Sequence, residues 1–372
     1  MSARARRNAS TWSPTRSSQP TQNLQRKRGR SRAETRPRRD DPRPTSHDYV
    51  VNRIPGHPPE SPRPSAAVAE AASALAAAGV EPARTEAELL VAHVLGVSRA
   101  ALALAGPLDP AQVARLRELV ARRRRREPLQ HLLGSAAFRY LELSVGPGVF
   151  VPRPETELLA GWGVAQARAV RPATGPVLVV DLCSGSGAIA LAVAGEVRRA
   201  RVIAVERSAA ALTWLRRNAA ARARAGDPPI EVVAGDVADP KLLAELSGRV
   251  DVLLCNPPYV PEGTAVAPEV AGYDPAEAVF GGPDGLAVIR HVVTRAVRLL
   301  RPGGVLGIEH DDTHGAAVPD LLRADGRFTD VADHRDLAGR PRFTTARRDG
   351  ADPGADHTRG TAGHRAWQTG SS

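Results

Sequence analysis

Asn256-Pro257-Pro258-Tyr259 follows directly on a buried-strand pattern, Val250-Asp251-Val252-Leu253-Leu254-Cys255. These four residue types in this order suit methyl transfer to a planar nitrogen. An amide or aromatic amine has a delocalised lone pair and attacks a methyl sulfonium poorly unless both N–H groups are held and the lone pair is aimed. The side-chain carbonyl of Asn256 and the main-chain carbonyl of Pro257 could accept those two hydrogens. Consecutive prolines fix φ and remove two donors, which leaves a stiff turn whose carbonyls face a ligand and not a ladder. The Tyr259 ring could then cover the target group. Taken alone, Asn-Pro-Pro is also ordinary turn chemistry at a strand end.

The segment upstream separates these readings. Pro176-Val177-Leu178-Val179-Val180-Asp181 reads as a short apolar strand, followed by the turn Leu182-Cys183-Ser184-Gly185-Ser186-Gly187 and a helical run over 188–194. Strand, glycine turn and helix open a nucleotide-binding βαβ unit. Glu206 closes the next strand, Arg201 to Val205, nineteen residues after Gly187, a spacing at which a carboxylate suits ribose hydroxyls. Dinucleotide enzymes share such a turn, so the pairing with Asn256-Pro257-Pro258-Tyr259 carries the assignment.

Further strands are expected at Glu231 to Ala234, ending at Gly235-Asp236, and at Gly304 to Glu309 after a helix stop over 299–303. Strands alternating with helices imply an α/β, doubly wound sheet, with ligands at the carboxyl ends of the strands. The motif residues all fall at that edge. A stretch at 65–133, rich in alanine and leucine and punctuated by Pro82, Gly96, Gly106 and Pro107, predicts a small bundle of short helices. Its last helix is expected to continue through Arg122 to Arg126, as a solvated end favoured by the helix dipole or as a contact for an anionic partner. Phe138 to Val145 alternates with period two and predicts a hairpin within a linker over 134–152.

The chain has 372 residues, enough for two modest domains with tails, and a net charge of +11. That charge is localised: residues 1–64 hold 15 Lys and Arg against 5 Asp and Glu, so the remaining 308 residues carry about +1. The tail, rich in Pro, Ser and Arg without apolar periodicity, is expected to be disordered. It reads as a sequence-blind electrostatic contact with RNA or ribosomes, or as a solvated extension ahead of a folded region beginning near Ser65, even a misassigned start. The second reading is preferred. Residues 349–372 form a second expected tail. Two cysteines, Cys183 and Cys255, exclude a disulfide framework and read as small apolar packing groups; no metal site is expected. No apolar run reaches membrane-spanning length and no signal-peptide core is evident, which points to a cytoplasmic protein with no membrane contact.

Phe150-Val151-Pro152-Arg153-Pro154-Glu155-Thr156-Glu157 is, on its own, a proline-led helix start. Together with Asp181 to Gly187, Asn256 to Tyr259, Gly281-Gly282-Pro283-Asp284-Gly285-Leu286 and Asp336-Leu337-Ala338-Gly339-Arg340-Pro341-Arg342, it resembles the PrmC/HemK family, the protein-(glutamine-N5) methyltransferases of class 1 peptide chain release factors. The resemblance covers roughly 67–348 and leaves out both tails. It implies a helical N-terminal domain and hairpin linker before a class I (Rossmann-like) seven-stranded methyltransferase domain over 153–348, whose last strand, 342–347, is antiparallel. It implies S-adenosyl-L-methionine as cofactor and, as substrate, the glutamine of the Gly-Gly-Gln motif in release factors. By resemblance, Asp181, Cys183, Ser184, Gly185, Ser186 and Gly187 carry the cofactor turn, Glu206 the ribose, and Asp236 and Val237 the adenine edge. Asn256 meets cofactor and substrate, and Pro257, Pro258 and Tyr259 complete the glutamine pocket, with Asn256, Pro257 and Tyr259 catalytic. Cys183 stands where the family often has glycine, and Val237 where a larger side chain often covers adenine.

Direct in-line displacement needs positioning and desolvation more than a general base, so His131 and His310 are assigned structural contacts. Three other readings share parts of this pattern. An amino methyltransferase of adenine or guanine would face the same two-hydrogen problem after base flipping; the near-neutral folded region argues against it. A glutamine methyltransferase of a ribosomal protein would have the same pocket. A non-catalytic RNA-associated protein would leave the cofactor turn without a purpose.

Overall fold

The computed structural model of the chain describes residues 61–172 and 175–350. The two tails read from the sequence therefore lie outside the described residues, apart from 61–64 and 349–350.

The helical part begins with α1 (Pro64–Ala76), α2 (Ala83–Leu95), α3 (Pro110–Arg124) and the short α4 (Leu129–Leu133). Its order is set by punctuation. Gly96 closes α2 in the left-handed conformation, and Asp109 starts α3 with a reciprocal cap: Gln112 N donates to Asp109 Oδ1 at 2.8 Å, and Asp109 N to Gln112 Oε1 at 2.9 Å. Leu75, Leu90, Leu108 and Leu119 fill the bundle core. The arginine run departs from expectation. The helix stops at Arg124 and Arg126 takes φ +69°. Arg123 is buried between Glu86 on α2, at 2.5 Å, and Glu269, at 2.9 Å; Arg126 joins the same Glu269 at 2.9 Å. These arginines are internal ties from the bundle to the rim of the cavity described below, because a buried guanidinium requires a carboxylate partner.

A hairpin, β1 (Ser135–Phe138) and β2 (Leu141–Ser144), leads into α5 (Thr156–Ala169). There follow β3 (Val177–Leu182), α6 (Ala188–Glu196), β4 (Ala200–Glu206), α7 (Ala209–Arg224), β5 (Glu231–Ala234), β6 (Val250–Cys255), α8 (Pro268–Tyr273), α9 (Ala276–Val279), α10 (Ala287–Leu299), β7 (Leu300–Glu309), α11 (Ala317–Asp325), β8 (Phe328–Arg335) and β9 (Pro341–Arg348). Strands β3 to β9 form one sheet in the order β5-β4-β3-β6-β7-β9-β8, parallel from β5 through β7, with β9 antiparallel to both neighbours. Every residue of β3 and β6 is buried, as expected of central parallel strands covered on both faces. One face packs on α5 and α6 through Leu159, Ile189 and Leu254, the other on α10 and α11 through Ile289, Val292 and Leu322. Strand order reverses at the parallel β3/β6 pair, with β4 and β5 added on one side of β3 and β6 and β7 on the other, so a crevice opens beyond their carboxyl ends.

Two strands differ from the sequence reading. The β7 strand begins at Leu300 and not at Gly304, because Pro302-Gly303-Gly304 is accommodated as an irregularity between the Val250↔Leu300 and Val252↔Val305 pairs. The β8 strand was not anticipated: Phe328-Thr-Asp-Val-Ala-Asp-His-Arg is a polar edge strand, and such strands lack the apolar signal that marks buried ones. The Asp336 to Arg342 motif forms the turn from it into β9.

Candidate active site

At the carboxyl ends of β3, β4 and β6 lies a cavity of about 540 Å³. Asp181, Cys183, Ser184, Gly185, Ser186, Glu206, Asp236, Val237, Asn256, Pro257, Pro258 and Tyr259 all line it. Gly187 does not; it stands behind the turn at φ +89°, where a Cβ would lie 2.5 Å from Leu215 Cδ1. His131 and His310 are also absent from the lining. His310 is fully buried, with Nε2 2.9 Å from Thr344 Oγ1 and Nδ1 2.9 Å from the Asp311 carbonyl.

The glycine turn is held from three sides. Asp181 Oδ2 accepts from Ala190 N at 3.2 Å, fixing the first turn of α6 from the preceding strand. Glu206 Oε2 accepts from Gly185 N at 2.8 Å, while Oε1 accepts from Arg207 N and Ser208 N, each at 2.8 Å, at the start of α7. Buried Asn218 donates to the Ser186 and Ser144 carbonyls, each at 3.0 Å, and so pins the turn to the hairpin. Cys183 takes φ +57°, which explains why glycine suits that position. Asp236 and Val237 follow β5: Asp236 Oδ1 accepts from Ala238 N at 2.8 Å, and Val237 is buried against Leu242.

Burial pushes the Asp181 carboxyl up to about 7. Since an unfolded aspartate titrates near 4, the folded protein binds more protons than the unfolded chain between those limits, and unfolding free energy falls as pH rises through that window. Below it both states are protonated and the effect vanishes. Asn can still accept from Ala190 N, so the melting temperature of Asp181→Asn relative to wild type is expected to rise from about pH 5 to about pH 8. Calorimetry at matched ionic strength checks this; a pH-independent difference would contradict it.

The Asn256 turn is braced from below by the glycine segment at 281–286. Val260 bridges to Phe280, Val260 N donates to Val279 O at 3.0 Å, and Gly281 N to Val260 O at 2.9 Å. The two backbones approach so closely that a Cβ on Gly285 would lie 2.2 Å from the Tyr259 carbonyl oxygen, and Gly285 has φ +71°. Gly285→Ala is therefore expected to displace the turn and slow turnover roughly 10²-fold, with ligand affinity at the glycine turn within a few fold of wild type. Single-turnover rates beside calorimetric titration would separate the two.

Asn256 Nδ2 donates to Thr156 Oγ1 at 3.1 Å, and its Oδ1 has no protein partner among the described residues. The Tyr259 hydroxyl donates to Glu309 Oε1 at 3.1 Å. Glu309 and Thr156 were not named as site residues: they lie 50 or more positions from their partners, and only the proximity of strand ends joins them. The cavity rim adds Phe150, over which the Arg153 guanidinium sits at 4.7 Å, and Arg153 in turn ion-pairs with buried Asp274 at 2.6 Å.

The parallel sheet ending in an antiparallel hairpin and the cavity at its switch point define a class I, Rossmann-like methyltransferase. Residues 66–134 match the family model of the PrmC N-terminal domain, and 172–272 that of the methyltransferase small domain. A release factor glutamine methyltransferase of Mycolicibacterium smegmatis is 54% identical over 282 residues, which span 76% of this chain and 96% of that protein. One of Streptomyces coelicolor is 50% identical over 288 residues, 76% of this chain and 97% of that protein. A 4-amino-L-phenylalanine/4-methylamino-L-phenylalanine methyltransferase of Streptomyces pristinaespiralis is 42% identical over 269 residues, 71% of this chain and 88% of that protein. The chain belongs to the release factor glutamine methyltransferase family.

Proposed function

We propose that this enzyme transfers a methyl group from S-adenosyl-L-methionine to the side-chain amide nitrogen of the glutamine in the Gly-Gly-Gln motif of class 1 peptide chain release factors. One observation carries the reading. Asn256 commits its amide nitrogen to Thr156 and keeps its carbonyl oxygen free, in the same cavity as the glycine turn and the Glu206 carboxylate. The cavity and its donor set fit the cofactor: a carboxylate for ribose hydroxyls, a glycine turn for close backbone approach, and Asp236 with Val237 at the adenine edge. When bound, S-adenosylmethionine supplies an electrophilic methyl on a sulfonium that leaves as a neutral thioether.

The protein's own part is positioning. Asn256 Oδ1 and the Pro257 carbonyl accept the two amide hydrogens, which turns the nitrogen lone pair towards the methyl, and the Tyr259 ring covers the amide plane. The nitrogen–carbon bond forms as the sulfur–carbon bond breaks, and the excess proton on nitrogen passes to water, so no side chain need serve as base. A substrate of this kind places the enzyme in the cytoplasm. No helix among the described residues is long and apolar enough to cross a membrane. Contact between the basic N-terminal stretch and nucleic acid lies outside the described residues.

The aromatic amine of the Streptomyces pristinaespiralis relative's named substrate poses the same two-hydrogen problem, so the decisive experiment offers both acceptors. The purified protein is incubated with radiolabelled S-adenosylmethionine and, separately, a release factor, its Gly-Gly-Gln→Gly-Gly-Ala mutant, ribosomal proteins, DNA and 4-aminophenylalanine. Label in the intact release factor, absent from the mutant, is the expected result. Label only in another acceptor would retain the transfer chemistry and overturn the substrate.

A further inference from the structure

One wall of the cavity has almost no core of its own. Residues 261–279 depart after Val260 and return at Phe280, and the excursion is closed at its base by the Val260↔Phe280 bridge and by Glu262 N donating to Gly282 O at 3.0 Å. Val266, Ala267, Val270, Pro275, Glu277 and Ala278 line the cavity. Yet α8 buries none of its residues, and α9 only Val279. Helices of six and four residues do not persist on backbone hydrogen bonding alone, which takes on the order of 12 residues even in favourable sequences. Groups outside the excursion must hold this wall.

Its carboxylates pair with arginines from different elements. Glu269 on α8 meets Arg123 and Arg126 of the bundle, each at 2.9 Å, and the Tyr273 hydroxyl donates to the Arg125 carbonyl at 3.0 Å. Asp274, just after α8, pairs with Arg153 at 2.6 Å; Arg153 is itself a rim residue lying over Phe150, so this pair joins rim to rim. Glu277 on α9 lies 3.9 Å from Arg207, which also reaches Asp236 at 3.6 Å. The wall therefore crosses from the bundle to the edge where β4 and β5 end. The ties are unequal. Arg207, Asp236 and Glu277 are each about half exposed, and such pairs contribute little. Glu269 is only 17% exposed and Arg123 6%, so salt and water screen this tie far less, and one carboxylate collects two guanidinium groups.

We propose that Glu269 is a positioning residue: through Arg123 and Arg126 it fixes the 261–279 wall to the helical bundle, and so slows the escape of S-adenosylmethionine from the cavity. Arg123 is suited to this because it also pairs with Glu86 on α2 at 2.5 Å, so the bundle sets the guanidinium before it meets the wall. The wall's position then follows the bundle's. This gives the bundle a part in retaining the cofactor, separate from any contact with a protein partner. The inference rests on the cofactor and holds whichever methyl acceptor the enzyme uses.

The test uses full-length protein and three variants: Glu269→Ala, Glu269→Gln and Tyr273→Phe. Glu269→Ala removes the tie but leaves Arg123 paired with Glu86 and Arg126 with the Gly79 carbonyl, so the bundle keeps its cations partnered. Glu269→Gln keeps an oxygen to which both arginines can donate. Tyr273→Phe removes only the hydroxyl bond to the bundle. Dissociation of radiolabelled S-adenosylmethionine is followed by a chase with unlabelled cofactor, beside hydrogen exchange of the unliganded protein and thermal melting. The expected result is dissociation roughly tenfold faster in Glu269→Ala and roughly two- to fourfold faster in Tyr273→Phe, with Glu269→Gln between wild type and Glu269→Ala. Exchange should quicken across 261–279 and stay unchanged in β3 and β6. Wild-type dissociation in Glu269→Ala would overturn the proposal. So would faster exchange spread over bundle and sheet in step with a lower melting temperature, which marks general destabilisation. If Glu269→Ala does not fold, Glu269→Gln and Tyr273→Phe decide by the same criteria. Failure of wild type to bind S-adenosylmethionine would remove the cofactor assignment and this inference together; dissociation behaving as expected without label in a release factor would overturn the acceptor alone.

Discussion

Asn256→Ala is expected to lower kcat by about 10³-fold or more while leaving the fold largely intact. The backbone of the turn is set by Pro257 and Pro258 and braced by the Gly281 to Gly285 segment, none of which depends on the Asn256 side chain. What the variant loses inside the protein is one part-buried hydrogen bond to Thr156, worth on the order of 1 kcal/mol, so the melting temperature should fall by only a few degrees. In the proposed pose it loses much more. The substrate amide keeps one hydrogen on the Pro257 carbonyl and is free to rotate about it, so its lone pair returns to conjugation and the near-attack geometry becomes rare. Single-turnover transfer from radiolabelled S-adenosylmethionine, with circular dichroism as a fold control, checks both halves. Wild-type activity in this variant would remove the central residue of the site and the function with it.

How much of this could be read in the sequence follows from burial. The central strands are short continuous apolar runs because both faces of the sheet are covered, and the turns at their ends carry the unusual residues, so the glycine turn, Glu206 and the Asn256 turn were all legible. The β8 strand was not, since an exposed edge leaves Asp330, Asp333 and His334 where a buried strand would have apolar residues. The arginine run was legible only in part, for a related reason: Arg124 and Arg125 are exposed, as a solvated helix end would be, but Arg123 is buried. Local composition shows five cations but not the carboxylates 37 and 146 positions away that neutralise Arg123. Glu309 and Thr156 are hidden in the same manner, with 100 positions between Thr156 and Asn256. Asn218 is another case: an asparagine in the middle of a helix usually signals nothing, and only the assembled fold shows it clamping the Ser186 carbonyl. The turns could be found from the residues that carry them, and Gly281 to Leu286 was legible as a motif, whereas the parts played by Thr156, Asn218 and Glu309 in holding those turns became visible only in three dimensions.

Glu206→Ala should weaken S-adenosylmethionine binding about 10²-fold or more, which corresponds to roughly 2.7 kcal/mol or more. The side chain does two tasks. Its oxygens satisfy three backbone donors, Gly185 N on the cofactor turn and Arg207 N and Ser208 N at the start of α7, and it lines the cavity where the proposed ribose hydroxyls would lie. Hydrogen bonds to a charged acceptor contribute about 1.5–3 kcal/mol each, and the truncated variant leaves the Gly185 donor part-buried without its acceptor. The turn therefore loosens even before the ribose contact is counted. Glu206→Gln is a sharper probe. An amide must place its NH2 either against Gly185 N–H or against Arg207 N–H and Ser208 N–H, so donors face donors in both orientations, and its affinity is expected to lie close to that of Ala. At saturating cofactor the rate should fall less than about tenfold for either variant, because the groups proposed to orient the methyl acceptor are untouched. Calorimetric titration of S-adenosylmethionine, alongside rates at several cofactor concentrations, distinguishes these effects. Tight binding by Glu206→Gln would show that one acceptor oxygen suffices, and wild-type affinity in Glu206→Ala would move the ribose site away from the end of β4.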